Sequence, residues 1–329
     1  KYIGFKILPY AKKSPIRFKY YPYKWFVTKL SSGRKSAGNF QYTEKAQTDT
    51  EKLQIGKSSE TSCKNSVTLG IRLISVHSPI HKKPEKEFGQ YLAGLIEGDG
   101  SIQKRQVVIC FHELDTPLAY YIKKEIGYGT VTKIKNKKAV KYEVSNEKGL
   151  SIIAELINGK LRTEEKITKF RENLIPFVKN ISLMPKNNER LIDNGWLAGF
   201  SDADGSFQIK IIKRIKREEV RLNYQLDQKK SDILNQLKIE FGGYVGNRKS
   251  QNTYYYGSTN FGSAKKIIEY FDKNHLQSSK YVNYLKWRKA YCIIMKGEHL
   301  TCLGIEKIKN IKNRMNNKSL EYQNLNDTE

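Results

Sequence analysis

The feature that most constrains the fold of this chain is an internal repeat. One short segment occurs twice, as LAGLIEGDG at 92–100 and as LAGFSDADG at 197–205. In each copy an apolar run that contains an Ala-Gly pair ends at an acid followed by a glycine. Small side chains let two helices approach almost backbone to backbone. The repeat therefore predicts two like units whose opening helices pack side by side about a pseudo-twofold axis.

The segments after each motif follow the same order of elements. An apolar helix leads into two strands, then into a helix capped by Asp115 or Ser231, a glycine turn, further strands and closing helices. The second copy has a longer first hairpin, near 213–219. The predicted fold class is α+β, a duplicated αββαββα unit. The predicted divisions are an N-terminal extension at 1–86, a first repeat at 87–175, a linker at 176–194, a second repeat at 195–315 and a polar tail at 316–329.

The first 86 residues show no sustained period of 3.6 or 2 and predict a basic, poorly ordered extension. The first methionine is Met184, and we interpret this start as read-through from upstream coding sequence.

The charge of the chain favours a polyanionic partner. The formal net charge is +27, from 60 Lys and Arg against 33 Asp and Glu, which indicates nucleic acid or an acidic membrane surface. No apolar stretch reaches the roughly 18 to 20 residues that span a bilayer, which disfavours a membrane. An AT-rich genome, such as an organellar one, also explains the abundant Lys, Asn, Ile and Tyr. A polyanionic partner and an AT-rich genome can both contribute to the basic composition. Four cysteines without paired spacing indicate a reducing compartment.

The duplicated acids Asp99 and Asp204 predict a metal site. Side-by-side packing of the two helices brings both acids to one end of the interface, where two carboxylates repel each other. A divalent metal removes that repulsion, since Mg²⁺ takes a few carboxylate oxygens and accepts phosphate oxygens as further ligands. Such an ion promotes phosphodiester cleavage. A solvated helix end would explain one motif; two motifs in matched contexts favour the metal site.

The strands after the second motif alternate between apolar and polar residues. Phe207 and Ile209 share one face, and Gln208 and Lys210 share the other. A twisted β-ribbon with long polar side chains fits the major groove of DNA, although an ordinary half-buried sheet explains the same alternation. In the first copy the apolar side is interrupted, at Lys104 and Gln106. The predicted DNA-binding residues are Ser101, Gln103, Arg105, Ser206, Gln208, Lys210, Arg221, Asn223, Gln225 and Arg248.

Over about residues 87–315 the chain resembles the LAGLIDADG homing endonucleases in their single-chain, two-motif form. The resemblance implies saddle-shaped antiparallel sheets and a monomer that cleaves both strands of a specific DNA site with Mg²⁺, which promotes intron mobility. It implies that Asp99 and Asp204 are catalytic acids that share two or three divalent ions, with the carbonyls of Gly98 and Ala203 facing the metals. Glu97 and Asp202, two residues before these acids, do not carry that role.

The resemblance also implies supporting residues. Gln228 matches a polar residue that orders active-site water, whereas Phe111 stands at the corresponding place in the first copy, so the two halves are functionally unequal. Lys280 matches a basic residue that supports the site. Its counterpart in the first copy is Lys166 after a one-residue insertion, or else Arg162.

Two other functions are open to a chain of this pattern. One is an intron maturase, which binds its own intron RNA and assists splicing; the other is a DNA-binding protein without nuclease activity. The presence of both acids favours the nuclease, and cleavage assays discriminate among the three. Group I introns of organelles typically encode such proteins, so the resemblance implies a mitochondrion, with the chloroplast as second choice.

Overall fold

The computed structural model describes residues 74–215 and 218–316. The predicted extension therefore lies outside the described residues up to position 73, as does the tail beyond 316. Within the described part of the chain, no helix is long and apolar enough to cross a membrane.

Two repeats with the same order of elements make up the described fold, and the second ends with one further helix. The first contains α1 (Phe88–Asp99), β1 (Gly100–Gln103), β2 (Gln106–His112), α2 (Thr116–Ile126), β3 (Thr130–Lys133), β4 (Ala139–Val144), α3 (Glu147–Ile157) and α4 (Glu164–Asn173). The second contains α5 (Trp196–Asp204), β5 (Gly205–Lys213), β6 (Glu218–Gln228), α6 (Asp232–Phe241), β7 (Tyr244–Arg248), β8 (Thr253–Ser258), α7 (Phe261–Lys273), α8 (Lys280–Met295) and α9 (Cys302–Asn316). The strand orders, β1-β2-β4-β3 and β5-β6-β8-β7, are the same, and all neighbours are antiparallel. The predicted duplicated α+β fold is confirmed.

Helices α1 and α5 pack against each other at glycines. A Cβ atom at Gly94 would overlap the carbonyl oxygen of Trp196 and lie 2.8 Å from the amide nitrogen of Phe200. In the same way, a Cβ at Gly199 would overlap the Tyr91 carbonyl oxygen. Only glycine permits this separation of the two backbones, so the predicted side-by-side packing of the motif helices is confirmed.

The glycines that follow these helices are required for close packing and not for a sharp turn of the backbone. Gly100 and Gly205 have φ of −84° and −73°, which any residue adopts, so conformational freedom is not why glycine stands there. A Cβ at Gly100 would lie 2.6 Å from the Cα of Ile96, and one at Gly205 would lie 2.8 Å from the carbonyl oxygen of Ser201. Each glycine is required because its strand leaves the helix in contact with the preceding turn.

One face of each sheet is covered by helices. In the second repeat, Phe207 of β5 packs against the rings of Tyr224, Phe271, Tyr284 and Trp287, with centroids 5.2 to 5.5 Å apart. The longer second hairpin is confirmed, because β5 and β6 pair from Gly205 to Lys213 whereas β1 and β2 pair only from Gly100 to Gln103.

Two local predictions were wrong in part, and one helix was not predicted. Asp115 and Ser231 stand at the N-cap positions of α2 and α6, as predicted, but their side chains make no capping hydrogen bond. Asp115 instead accepts a hydrogen bond from the backbone N–H of Ser279 at 2.6 Å, which joins the first repeat to the start of α8. The helix α9 was not predicted, although Ile305, Ile308, Ile311 and Met315 recur at helical spacing.

Candidate active site

The acids Asp99 and Asp204 lie together at the C-terminal ends of α1 and α5. A Cβ at Gly98, in the last turn of α1, would lie 3.4 Å from Oδ2 of Asp204 on the other helix. Asp99 is exposed and Asp204 is half-buried. The close helix packing at Gly94 and Gly199 thus brings the two carboxylates to one place.

Both acids are held in a way that disfavours their charged forms. Loss of hydration, followed by the negative charge of Asp204, raises the pKa of Asp99 to about 6. Burial likewise raises the pKa of Asp204, although the Gln228 amide and the cations Lys280 and Lys166 lower it. Two carboxylates that repel each other and have lost hydration bind a cation more readily than two fully hydrated ones, because the positive charge of the cation stabilises both in their charged form.

Lys166 of α4 lies beside the end of α1. Its Nζ donates to the carbonyl oxygens of Ile96, at 3.0 Å, and of Gly100. The competing candidate, Arg162, points elsewhere, because its guanidinium donates to the Glu189 carbonyl at 2.6 Å. Of the two, Lys166 is the residue next to the motif.

Lys280 of α8 has the corresponding position in the second half. Its Nζ donates to the carbonyl oxygens of Ser201, at 3.3 Å, and of Ala203. Ser201 is the counterpart of Ile96, so both lysines contact the same carbonyl of the repeated motif. Loss of hydration lowers the pKa of both amines, while Asp202, Asp99 and other acids nearby raise that of Lys280.

The two halves of the site differ at one side chain. Gln228, the last residue of β6, donates from Nε2 to Oδ2 of Asp204 at 2.6 Å. The alternation of β6 puts Gln228 on the same face as the buried Leu226, so its side chain can reach the acid only because it stands at the end of the strand. The strand registers place Phe111 at the corresponding position of β2, where it is buried and has no polar atom to offer Asp99.

Glu97 has a structural role that the sequence did not reveal. This buried carboxylate accepts hydrogen bonds from the backbone N–H groups of Arg162 and Thr163, from the Thr163 hydroxyl and from Nε1 of Trp196, at 2.6 to 3.0 Å. Thr163 directly precedes α4. Glu97 therefore fixes the start of the helix that carries Lys166, and Trp196 ties this arrangement to the opposite repeat.

Asp202 repeats the arrangement in the second half. It accepts from the backbone N–H groups of Gln277 and Ser278, from the Ser278 hydroxyl, and from the Tyr91 hydroxyl at 2.7 Å. Tyr91 and Trp196 are counterparts in the two motifs, so each repeat donates one aromatic hydrogen bond to the buried acid of the other. Burial raises the pKa of both acids, and these hydrogen bonds lower it.

The polar face of the second sheet is continuous. Cross-strand pairs join Ser206 to Gln225, Gln208 to Asn223 and Lys210 to Arg221. Hydrogen bonds link Gln208 to Ser206 at 3.2 Å and Asn223 to Gln225 at 3.2 Å. The structure thus brings these six predicted DNA-binding residues together on one face, but Asn223 is only 1% exposed and its amide is bonded to Gln208 and Gln225.

Two aromatic residues on this face were missed by the sequence reading. Arg248, at the end of β7, donates to Asp227 at 3.0 Å and lies over the ring of Tyr255, 4.9 Å from its centroid. Tyr244 packs edge-on against the same ring. The alternation of TYYYGS in β8 was the available signal, but it does not say which tyrosine faces outward.

The first sheet presents a shorter face. Ser101 and Gln103 lie on β1. Arg105 does not lie on a strand as predicted: it is in the turn between β1 and β2, with φ of 57°, and its guanidinium lies 5.5 Å from the Phe177 ring. The prediction was wrong because four residues of alternation do not locate a turn. Lys141 of β4, which pairs with Cys110, is a further cation beside this sheet that the sequence did not single out.

A groove of about 630 Å³ adjoins Asp204. Its lining includes Gln228 and the cations Lys166, Lys229, Lys230 and Arg248. Acids line it as well, among them Glu164, Glu165, Asp227 and Asp232, so the charge of the groove is mixed.

The donor set fits a hard divalent cation that keeps much of its hydration. The described residues hold no group of three or more His, Cys, Asp or Glu side chains able to enclose a metal. An ion at Asp99 and Asp204 would therefore take its other ligands from water, phosphate and backbone carbonyls, which is the ligand set that Mg²⁺ favours.

Comparison with known proteins points to one family. The family model described as LAGLIDADG endonuclease matches residues 92–174 and 197–291. An uncharacterized cox1 intron-2 protein of Schizosaccharomyces pombe is 52% identical over 264 residues, 78% of this chain and 81% of that protein. The intron-encoded DNA endonuclease aI3 of Saccharomyces cerevisiae is 28% identical, over 63% of this chain and 64% of its own length. The intron-encoded RNA maturase bI4 of the same yeast is 28% identical, over 60% of this chain and 31% of its own length.

Solved structures share the fold. The meganuclease I-SmaMI bound to uncleaveable DNA superposes with a TM-score of 0.57 at 22% identity, over 69% of this chain and 98% of that one. I-CpaMI bound to uncleaved DNA gives 0.53 at 20% identity, over 69% and 99%. The family model matches both motifs, and the two motif helices α1 and α5 pack against each other. This chain therefore belongs to the LAGLIDADG endonuclease family.

Proposed function

We propose that this chain is a site-specific, Mg²⁺-dependent endonuclease that cleaves both strands of DNA and promotes the mobility of its intron. The observation that carries the proposal is the placement of Asp99 and Asp204 at the ends of the two packed motif helices. Membership of the family and the DNA-bound relatives of the same fold support it.

In this proposal the chain's own residues supply position and charge. Divalent ions bound at the two acids would activate water and stabilise the leaving oxygen. Asp99 and Asp204 would hold the ions, and the resemblance adds the carbonyls of Gly98 and Ala203, of which the Ala203 carbonyl also accepts a hydrogen bond from Lys280. Gln228 fixes one oxygen of Asp204 by its hydrogen bond and orders water beside it. The acids thereby keep a geometry suited to in-line attack.

The lysines act on the negative charge of the reacting phosphate. Lys166 and Lys280 each hold a terminal carbonyl of a motif helix, and their amines lie beside the acids. A cation fixed in this way stabilises charge that develops on the phosphate without having to move. Because Gln228 has no polar counterpart in the first half, we expect the two strands to be cut at different rates.

The polar sheet faces form the DNA-binding surface of the proposal. Ser206, Gln208, Lys210, Arg221 and Gln225 of the second repeat, with Ser101, Gln103, Arg105 and Arg248, would contact the duplex. Asn223, which is buried, would hold Gln208 and Gln225 in place rather than reach the DNA itself. A pseudo-twofold pair of such faces matches the approximate twofold symmetry of duplex DNA. One chain supplies both halves, so we expect a monomer.

The setting of the proposed function is mitochondrial. The relative from Schizosaccharomyces pombe is a cox1 intron protein, which supports an organellar intron as the source of this chain. The second choice of a chloroplast has no support among the reported relatives.

The test is cleavage of DNA that spans the junction of the intronless host gene, with Mg²⁺ and with EDTA. Wild type is expected to cut both strands with Mg²⁺ only, and Asp99→Asn and Asp204→Asn to cut neither efficiently. Asp193→Asn is the matched control, since this exposed carboxylate is 3.6 Å from Arg190 and lies before the N-terminal end of α5, whereas Asp204 lies at the C-terminal end. Folded wild type that binds the junction but never cuts it would contradict the proposal.

A second candidate function is RNA binding in splicing, which the similarity to the bI4 maturase favours. It predicts that the intron RNA is bound and its splicing accelerated by wild type and by Asp204→Asn alike, because the acids are not needed for that activity.

A further inference from the structure

A short segment before α1 crosses to the second repeat. We define the N-terminal strap as residues 79–83. Within it, Nε2 of His81 donates to the Leu276 carbonyl at 2.9 Å, and the His81 ring packs edge-on against Tyr281, with centroids 4.6 Å apart. The backbone N–H of Lys82 donates to Nδ1 of His275 at 3.0 Å.

The strap contacts the loop that precedes Lys280. The side-chain amide of Gln277 donates to the Lys82 carbonyl at 2.9 Å. The backbone N–H groups of Gln277 and Ser278 donate to the buried acid Asp202. The α7–α8 loop, residues 275–279, is therefore held on one side by the strap and on the other by the acids Asp202 and Asp115, and Lys280 follows it directly.

The linker between the repeats makes the contact that corresponds to it under the pseudo-twofold symmetry. The N–H of Asn187 donates to the Leu161 carbonyl at 3.1 Å, and the Arg162 guanidinium donates to the Glu189 carbonyl at 2.6 Å. Asn187 stands as far before Trp196 as Lys82 stands before Tyr91. These linker residues lead into the second repeat but lie on the first.

The arrangement is therefore crossed. Each repeat is entered through a segment that lies over the loop of the other repeat, and that loop begins the helix that carries the lysine. A connection that served only to join domains would not need backbone and side-chain hydrogen bonds to the same loop in both halves.

We propose that the N-terminal strap is a positioning element for Lys280, as the linker residues 187–189 are for Lys166. The inference rests on the proposed nuclease function for its effect on cleavage. Its physical basis is that a loop tied on two sides has fewer accessible conformations, so that Lys280 stays within hydrogen-bond reach of the Ala203 carbonyl. The strap places a group at the site without touching DNA or metal.

The first test is amide hydrogen exchange at pH 8 on the full chain, without DNA. The variants are His81→Ala, which removes one hydrogen bond and a ring contact, and His81→Ala/Lys82→Pro, which also removes the backbone donor to His275. Ile80→Ser is the matched control, because Ile80 is 84% exposed within the same strap. Exchange at Gln277 and Ser278 is expected to accelerate by about 2- to 12-fold for each hydrogen bond lost.

The corresponding loop of the first repeat, which leads into α4, reports whether the effect is local. Exchange at Arg162 and Thr163, whose amides donate to Glu97, should be unchanged in the strap variants. If the strap amides exchange faster while Gln277 and Ser278 keep the wild-type rate, the strap does not hold the loop and the inference is wrong. Equal acceleration in both loops would also overturn it, since that is general loss of stability.

The second test is strand-resolved cleavage under single-turnover conditions, with the two DNA strands labelled separately. Lys280→Met identifies the DNA strand whose cleavage depends on Lys280. The strap variants should cut that strand about tenfold more slowly than wild type does, while their affinity for DNA in EDTA should be unchanged. Lys166→Met is the comparator for the other strand. A loop that opens with no change in cleavage rate would refute the positioning role. Wild type that never cuts would refute the proposed nuclease instead, and the exchange experiment would still decide whether the strap holds the loop.

Discussion

Replacing Gly94 by alanine tests the claim that the helix crossing sets the position of the acids. The new Cβ would lie 2.8 Å from the amide nitrogen of Phe200 and closer still to the carbonyl of Trp196. Favourable contacts of a carbon atom begin near 3.5 Å, so the shortfall is at least about 0.7 Å. Both neighbours are backbone atoms, which cannot rotate away. Helices α1 and α5 must therefore move apart.

The magnitude follows from overpacking. Forced insertion into a packed interface costs about 1–3 kcal/mol, and for a protein of this size each kcal/mol lowers Tm by about 2–4 °C. We expect Tm to fall by about 2–12 °C. The ends of the helices separate as well, and misplacement of a reacting group by about 1 Å can reduce cleavage about 10²-fold. Differential scanning calorimetry and single-turnover cleavage measure the two effects.

The control and the refutation use other glycines. Gly262→Ala in α7 meets only Asn260 Oδ1, at 3.5 Å, and should change stability by no more than about 1 kcal/mol. Gly199→Ala should resemble Gly94→Ala, and the double variant should cost less than the sum, because helices already apart accommodate the second Cβ. An unchanged Tm in Gly94→Ala, or full additivity, would contradict separation of the helices.

Three further predictions concern the site. Trp196→Phe removes the indole donor to buried Glu97 and should lower the free energy of unfolding by about 1–3 kcal/mol in urea denaturation, although no atom near the metal site changes; an unaltered midpoint would refute the role of this bond. Gln228→Leu removes the amide bonded to Asp204, so single-turnover cleavage of one strand should slow more than that of the other; equal slowing would contradict the asymmetry. Loss of hydration and the charge of Asp204 raise the pKa of Asp99 to about 6, so protons compete with the metal below that pH. Metal affinity, measured by calorimetry, should therefore weaken as pH falls through 6. Without metal, the contribution of this carboxyl to the free energy of unfolding should decline as pH rises toward 6, because the folded state favours the protonated form.

The sequence alone predicted the duplicated architecture, because its signals are local. The Ala-Gly pairs with their following acids identified α1, α5 and the helix contact, and the alternation in β5 and β6 identified the two faces of the sheet. Each of these patterns depends on residues a few positions apart, where side-chain direction follows from the period of the helix or strand. The longer second hairpin was predicted on the same basis.

Contacts between distant residues decided the rest. In sequence the acids Glu97 and Asp99 look alike, yet only the fold makes the first a buried anchor for α4, through donors at 162, 163 and 196, and leaves the second exposed at the site. The same holds for Lys166 over Arg162, since a one-residue insertion makes the local alignment ambiguous and only packing against α1 resolves it. The N-terminal strap and the linker residues 187–189 are likewise visible only in three dimensions. Each segment leads into one repeat but lies on the other. The motif determines what the site is made of, and long-range packing determines what each residue in it does.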